Sequence, residues 1–159
     1  MPEMHDIAFT LNGRPVAATV ESRLHLADLL RHTFGLTGTH VGCEHGMCGA
    51  CNVMLDGCSA RSCLTLAVQS DGAEIETIEG LTARGILADL QTEFVSRNAL
   101  QCGYCTPGIL VTAAELLRQR DLTRAAIREA LSGNFCRCTG YHAIVDAIEI
   151  VARRRGCAA

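Results

Sequence analysis

Apolar and polar residues alternate near the start of the chain. Ile7, Phe9 and Leu11 share one parity, and Val16, Ala18 and Val20 resume the alternation after Asn12-Gly13. A period of two marks strands with one buried face, and Asn-Gly between them supplies the positive φ angles of a tight hairpin turn. The period then lengthens. Leu26, Leu29, Leu30 and Phe34 fall on one helical face, which Ser22 can cap and Gly35 can close. Residues 36–51 are rich in Gly and Cys and read as loop. Short strands are expected at Asn52–Leu55 and Glu74–Ile78, with Asp56-Gly57 turning the chain between strands.

From about residue 81 the spacing is helical. Ile86, Leu87, Leu90, Phe94 and Val95 make one stripe. Leu110, Ala113, Ala114 and Leu117 make a second, opened by Thr106 as N-cap and Pro107 behind it. A third helix runs from Thr123 through Ile127 and Leu131 to Gly133, and the last carries Ile144, Val145, Ile148 and Val151. Its closing Arg153-Arg154-Arg155 suits either the negative end of the helix dipole or a solvated terminus. Four such helices make a small bundle. The reading is α+β, with a mixed half over 1–80 and a helical half over 81–159. No Pro- or Ser-rich linker separates them, so the halves are expected to pack tightly.

The 159 residues are 48% apolar, without Trp and with two Tyr and four Phe, so the core must be mostly aliphatic. A chain of this size can bury roughly 70% of its unfolded surface without crosslinks. Its ten cysteines therefore point to chemistry. The net charge of −3, with Arg as every basic residue, argues against a nucleic-acid grip. Residues 1–80 carry four Arg against ten acids, and residues 81–159 ten Arg against seven, so the halves face different surroundings. The acidic start lacks the cations and apolar run of a signal peptide, and no stretch is long and apolar enough for a membrane span. The expected address is cytoplasmic, where clustered cysteines serve metal or redox work.

Cys43, Cys48, Cys51 and Cys63 are spaced C-x4-C-x2-C-x11-C, the first three in CEHGMCGAC. This is the plant-type [2Fe–2S] spacing. Gly42, Gly46 and Gly49 offer the positive φ that wrapping a compact cluster requires, and the loop can aim N–H groups at sulfur. His45 lies inside this loop and reads as a neighbour or solvent-facing group, since four cysteines suffice. Cys102, Cys105, Cys136 and Cys138 form a second set, C-x2-C in QCGYCTPG and C-x-C in FCRCTGY. Both pairs precede helices, whose N-termini favour anions. On spacing alone this set fits iron–sulfur or zinc. Cys58 and Cys157 read as a small apolar residue and a tail thiol. His142 and the other histidines show no ligand spacing. Paired carboxylates, a nucleophile with its base and a phosphate-cradling loop are all missing, so no residue of this chain is assigned a catalytic role.

CEHGMCGAC, SCLTLAV, QCGYCTPG and CRCTGY occur in that order. Together they closely resemble the small iron–sulfur subunit of the molybdenum hydroxylases, the xanthine dehydrogenase, aldehyde oxidoreductase and carbon monoxide dehydrogenase family, over about residues 4–152. The resemblance implies a [2Fe–2S] cluster at the second site as well as the first. It also implies an N-terminal β-grasp ferredoxin-like domain followed by a four-helix-bundle [2Fe–2S] domain. The implied partners are a large molybdopterin subunit and a medium FAD subunit, as a heterotrimer or a dimer of heterotrimers. Electrons then pass from molybdenum through the helical-domain cluster and the ferredoxin-like cluster to flavin. Gln101 and Cys138 match positions that lie against the pterin in the family. Asn52 stands where Thr is common in relatives, which touches at most a local hydrogen bond. A partner bearing a signal could carry the chain to the periplasm.

The physical expectation is a two-station wire, in which one rigid body fixes two clusters at short separation. Each oxidised cluster with four thiolates adds about two negative charges, so the net positive helical half eases reduction of its own. The competing classes are a free-standing ferredoxin-type carrier and a zinc-stapled interaction module.

Overall fold

The computed structural model describes residues 3–159. The hairpin forms where the alternation places it. Strand β1 (Met4–Leu11) pairs antiparallel with β2 (Arg14–Glu21), and Asn12 and Gly13 both take positive φ. Three short strands complete one sheet: β3 (Asn52–Leu55), β4 (Cys58–Arg61) and β5 (Glu74–Glu76). Their order is β2-β1-β5-β3-β4, with β5 parallel to β1 and antiparallel to β3. Strand β5 stops at Glu76, short of the expected Ile78, because Ile78 opens a helix. Ile7, Phe9, Leu11, Val20, Val53 and Ile75 bury one sheet face against Leu26, Leu29 and Leu30.

Leu26 lies on a single turn, α1 (Leu26–Asp28), which widens into a π-helical turn over Leu29–Thr33 that carries Leu29 and Leu30. Its N-cap is His25, not Ser22, and the Ser22 hydroxyl turns instead toward the Glu3 carbonyl. Gly35 ends the helix with φ 68° while the Leu36 N–H returns to Leu30 O at 2.9 Å. The bond reaches one residue further back than the six-to-one bond of a Schellman motif, because the turn it closes is π-helical.

Five helices follow: α2 (Ile78–Ala83), α3 (Ala88–Ser96), α4 (Thr106–Leu116), α5 (Arg124–Leu131) and α6 (His142–Arg154). Helix α2 is additional to the four expected. Asn12, at the hairpin tip, latches its start by accepting from the Thr77 N–H at 2.8 Å and donating to the Thr77 hydroxyl at 3.1 Å. On α3 the buried stripe is Leu87, Leu90 and Phe94. Val95 is 71% exposed and does not belong to it. Cys105, rather than Thr106, occupies the N-cap of α4. Thr123 caps α5, accepting from Ala126 N at 3.1 Å.

The helices enclose a second aliphatic core that also takes in Met54 from β3, so strand and bundle share a boundary. The terminal arginines are paired. Arg154 meets Glu93 at 2.6 Å, Arg155 grips Asp89 through two nitrogens, and Arg153 meets Glu149 at 2.7 Å. Two of them therefore tie α6 to α3. Cys157 is buried, its thiol donating to Ala152 O, whereas Cys58 is exposed. Among the described residues no helix is long and apolar enough to cross a membrane.

Candidate metal centres

The first centre is built by the irregular loop leading into β3 and by the chain just after β4. Cys43, Cys48 and Cys51 line the loop, and Cys63 follows Arg61 by two residues. Cys51 and Cys63 are buried beside Ala27 and Val41, while Cys43 and Cys48 are half-buried. Gly46 and Gly49 take positive φ, as does Glu44. Gly42 does not. Its contribution is space, since a Cβ there would stand 3.1 Å from the Cys48 sulfur.

Backbone N–H groups converge on the sulfurs. Cys48 N lies 3.4 Å from Cys43 Sγ. Burial opposes the Cys43 thiolate, but N–H groups of His45, Cys48 and Met47 outweigh it and bring the thiol down to about 6. Burial foremost, with the Cys51 thiol beside it, pushes Cys63 up to about 11 against the pull of the Gly46 N–H. Burial and the neighbouring Cys43 also raise Cys48. His45 is exposed, and its ring contacts the Cys43 carbonyl rather than any sulfur.

The second centre draws on two loops, before α4 and before α6. Cys102 and Cys138 are exposed with their sulfurs 3.6 Å apart, while Cys105 and Cys136 are half-buried and interact with each other. Burial, then the Cys136 thiol, pushes Cys105 up to about 12. Cys136 is lowered, because the Thr139 hydroxyl and nearby N–H groups outweigh its burial. Tyr141 holds this loop from a left-handed backbone (φ 68°). Its hydroxyl accepts from Cys136 N at 2.7 Å and donates to Asn134 O at 3.0 Å. Gln101 is exposed directly before Cys102.

Each centre therefore offers two thiol pairs, Cys43–Cys48 with Cys51–Cys63, and Cys102–Cys138 with Cys105–Cys136. Among the described residues no three Cys, His, Asp or Glu side chains converge as one ion requires. Four thiolates shared in pairs between two irons fit this arrangement. The donors are also apt for a negatively charged cluster, since backbone N–H groups face sulfur.

The centres adjoin. A cavity of about 180 Å³ is lined by Cys48 and Gly42 of the first loop together with all four cysteines of the second set. Phe135 N–H donates to Cys48 O at 2.8 Å. Tyr104, between Cys102 and Cys105, stacks on His40 with ring centroids 4.7 Å apart, and its hydroxyl donates to Val41 O at 2.7 Å. Helix α4 starts so close to the first loop that a Cβ on Gly108 would sit 2.1 Å from Gly49 O.

A buried polar chain reinforces the seam. Asn52 Nδ2 donates to Thr112 Oγ1 at 2.8 Å, Thr112 to Asn134 Oδ1 at 3.0 Å, and Asn134 Nδ2 to Gly49 O at 3.2 Å. Asn52 thus joins the two halves, a larger role than a local hydrogen bond. Arg61, Thr112, Asn134 and Tyr104 had no signal in spacing, because their partners lie up to 85 residues away.

The 2Fe-2S iron-sulfur cluster binding domain family matches residues 9–88, and the [2Fe-2S] binding domain family matches residues 77–149. Caffeine dehydrogenase subunit gamma of Pseudomonas sp. (strain CBB1) is 51% identical over 153 residues, covering 93% of this chain and 91% of the relative. Nicotine 6-hydroxylase small subunit of Paenarthrobacter nicotinovorans is 51% identical over 144 residues, covering 90% and 87%. In the crystal structure of quinoline 2-oxidoreductase from Pseudomonas putida 86, one chain superposes with TM-score 0.85 at 48% identity, covering 97% of this chain and 98% of that one.

Proposed function

This chain belongs to the iron–sulfur small subunits of the molybdenum hydroxylases, electron-transfer subunits of oxidoreductase complexes, and from that premise we propose how its residues serve the task. Cys43, Cys48, Cys51 and Cys63 hold one [2Fe–2S] cluster, and Cys102, Cys105, Cys136 and Cys138 hold the other. Each cluster supplies reversible one-electron chemistry. The chain's own part is to seat the two cages against one cavity, direct N–H groups at the sulfurs and keep water from the buried side. The observation that carries this reading is the shared cavity, in which Cys48 faces the four cysteines of the second set.

The exposed edge formed by Gln101, Cys102 and Cys138 suits a large molybdopterin-binding subunit. The exposed Met47 and Leu64 flank the first centre and suit a medium FAD-binding subunit, giving a cytoplasmic heterotrimer or its dimer. Residues 1–80 correspond to a β-grasp ferredoxin-like domain. Residues 81–159 correspond to a four-helix bundle of α3 to α6, with α2 at the joint. Iron and sulfide analysis with paramagnetic resonance of the dithionite-reduced chain tests the reading. About four Fe, about four labile sulfides and two distinguishable signals are expected. A single signal, or zinc in place of iron, overturns it.

A further inference from the structure

We propose that Arg61 is a positioning residue that sets the reduction potential of the first centre and holds that centre's loop to the second. The inference rests on the two-cluster reading above. Arg61 ends β4, two residues before Cys63, and its half-buried guanidinium spreads across three acceptors. Nε donates to Gly46 O at 3.1 Å, Nη1 to Asn52 Oδ1, and Nη2 to Gly133 O at 2.6 Å. All three acceptors are neutral oxygens, so the fork is occupied with backbone and amide rather than with a carboxylate.

Each contact has a consequence for a ligand. Arg61 fixes the Gly46 carbonyl, and the Gly46 N–H, in the preceding peptide across the same Cα, counters the burial that raises the Cys63 thiol. An N–H aimed at sulfur stabilises the extra negative charge of the reduced state and so raises the potential. Gly133 opens the turn that leads through Phe135, whose N–H sits on Cys48 O, to Cys136. Glycine in that turn leaves room for the guanidinium, since a Cβ on Gly133 would stand 2.8 Å from Arg61 Nη2. Asn52 carries the third contact into the buried chain through Thr112 and Asn134. Only a planar fork with several fixed donors can meet three acceptors in these directions. A lysine keeps the charge and loses the geometry.

Redox titration of the full-length, two-cluster protein by paramagnetic resonance tests this. The wild-type chain must first show two signals, and failure there sinks the two-cluster reading itself. In Arg61→Ala the first-centre signal is expected to move to more negative potential. Its reduced-to-oxidised ratio at fixed potential should fall about tenfold, the worth of one hydrogen bond to a charged group, while the second-centre signal stays in place. Arg61→Lys should fall between Ala and wild type. Thr112→Val, which breaks the buried chain yet leaves the Gly46 contact, should lower thermal stability without moving either potential. An unmoved first centre in the Arg61 variants, an equal shift of both centres, or a lysine variant indistinguishable from wild type overturns the assignment. If Arg61→Ala does not fold, the lysine variant decides by the same shift.

Discussion

The two four-cysteine centres solve one coordination problem by opposite means. The first takes three of its cysteines from a nine-residue loop and buries Cys51 and Cys63 beside Ala27 and Val41. Its backbone bends sharply, and the N–H groups that face sulfur come from the loop itself. The second joins two distant loops at the ends of helices and leaves Cys102 and Cys138 exposed. Burial and local amides insulate the first. The second is open on one side, where Cys102 and Cys138 reach the surface. A transfer unit needs both: one station closed enough to keep a fixed environment, the other open where electrons arrive.

The largest effect that could break this contrast is loss of one centre alone. Cys63→Ser is expected to abolish the first signal with about two of about four irons and to spare the second. Cys138→Ser should do the reverse. In the assembled enzyme Cys63→Ser should leave reduction of the second centre intact and stop flavin reduction, whereas Cys138→Ser should block both, as read by stopped-flow absorbance. Simultaneous loss of both signals in either variant would show that the centres do not form independently.

The next effect is a contrast in thiol ionisation within the metal-free chain. Cys43 lies down at about 6 and Cys105 up at about 12. A lowered value means thiolate above that pH, so Cys43 alkylation by iodoacetamide should rise through pH 6 and level off by neutrality. Cys105 should stay inert until strongly alkaline pH. Peptide-resolved labelling at pH 7.5 is expected to favour Cys43 by roughly 30- to 100-fold, most of the ionisation advantage being lost to its lower nucleophilicity. The second centre has its own lowered thiol, Cys136. Each centre thus presents one thiol poised to ionise first, and equal labelling of Cys43 and Cys105 would remove that parallel.

A smaller effect falls on the seam. Gly108→Val places a side chain against Gly49 O and Ala50 O, and overpacking of this kind costs about 1–3 kcal/mol. The melting temperature should drop by about 2–4 °C per kcal/mol for a chain of this size. The first centre should lose iron before the second, because the collision is with its loop. Equal losses would mean that the seam supports both centres alike.

The same contrast governs what was legible. Hairpin, loop and Cys43–Cys63 spacing follow from short-range rules, since Asn12-Gly13 and the clustered cysteines act within a few residues. Helix α5 was readable from Thr123 and its apolar stripe. Strand β4, Cys-Ser-Ala-Arg, carries no alternation and forms only because β3 lies beside it. Helix α2 escaped notice because Ile78 continues the apolar pattern of β5, and the Asn12 latch that starts the helix comes from 65 residues away. The second centre was ambiguous on spacing. Its thiol pairing, Cys102 with Cys138 and Cys105 with Cys136, exists only after α4 and α6 are packed. Arg61 and the Asn52–Thr112–Asn134 chain belong to the same class, as contacts made by tertiary structure alone.

The smallest effect separates the two links across the seam. Tyr104→Phe removes the hydroxyl that donates to Val41 O and keeps the ring stacked on His40. Tyr104 is 49% exposed, so water can replace the lost partner and the cost should be at most about 1 kcal/mol. Tyr104→Ala removes the stack as well and should cost more, by the aromatic contact area it uncovers. Calorimetry measures both steps, and amide exchange at Val41 to Cys43 reports where the loosening falls. A Phe variant with normal stability and faster exchange at Val41 makes Tyr104 a local strap on the first loop, leaving cohesion to the Arg61 fork and the buried chain. If neither variant alters exchange there, the two loops are held by those polar contacts alone, and the stacked pair is a consequence of their proximity rather than a cause.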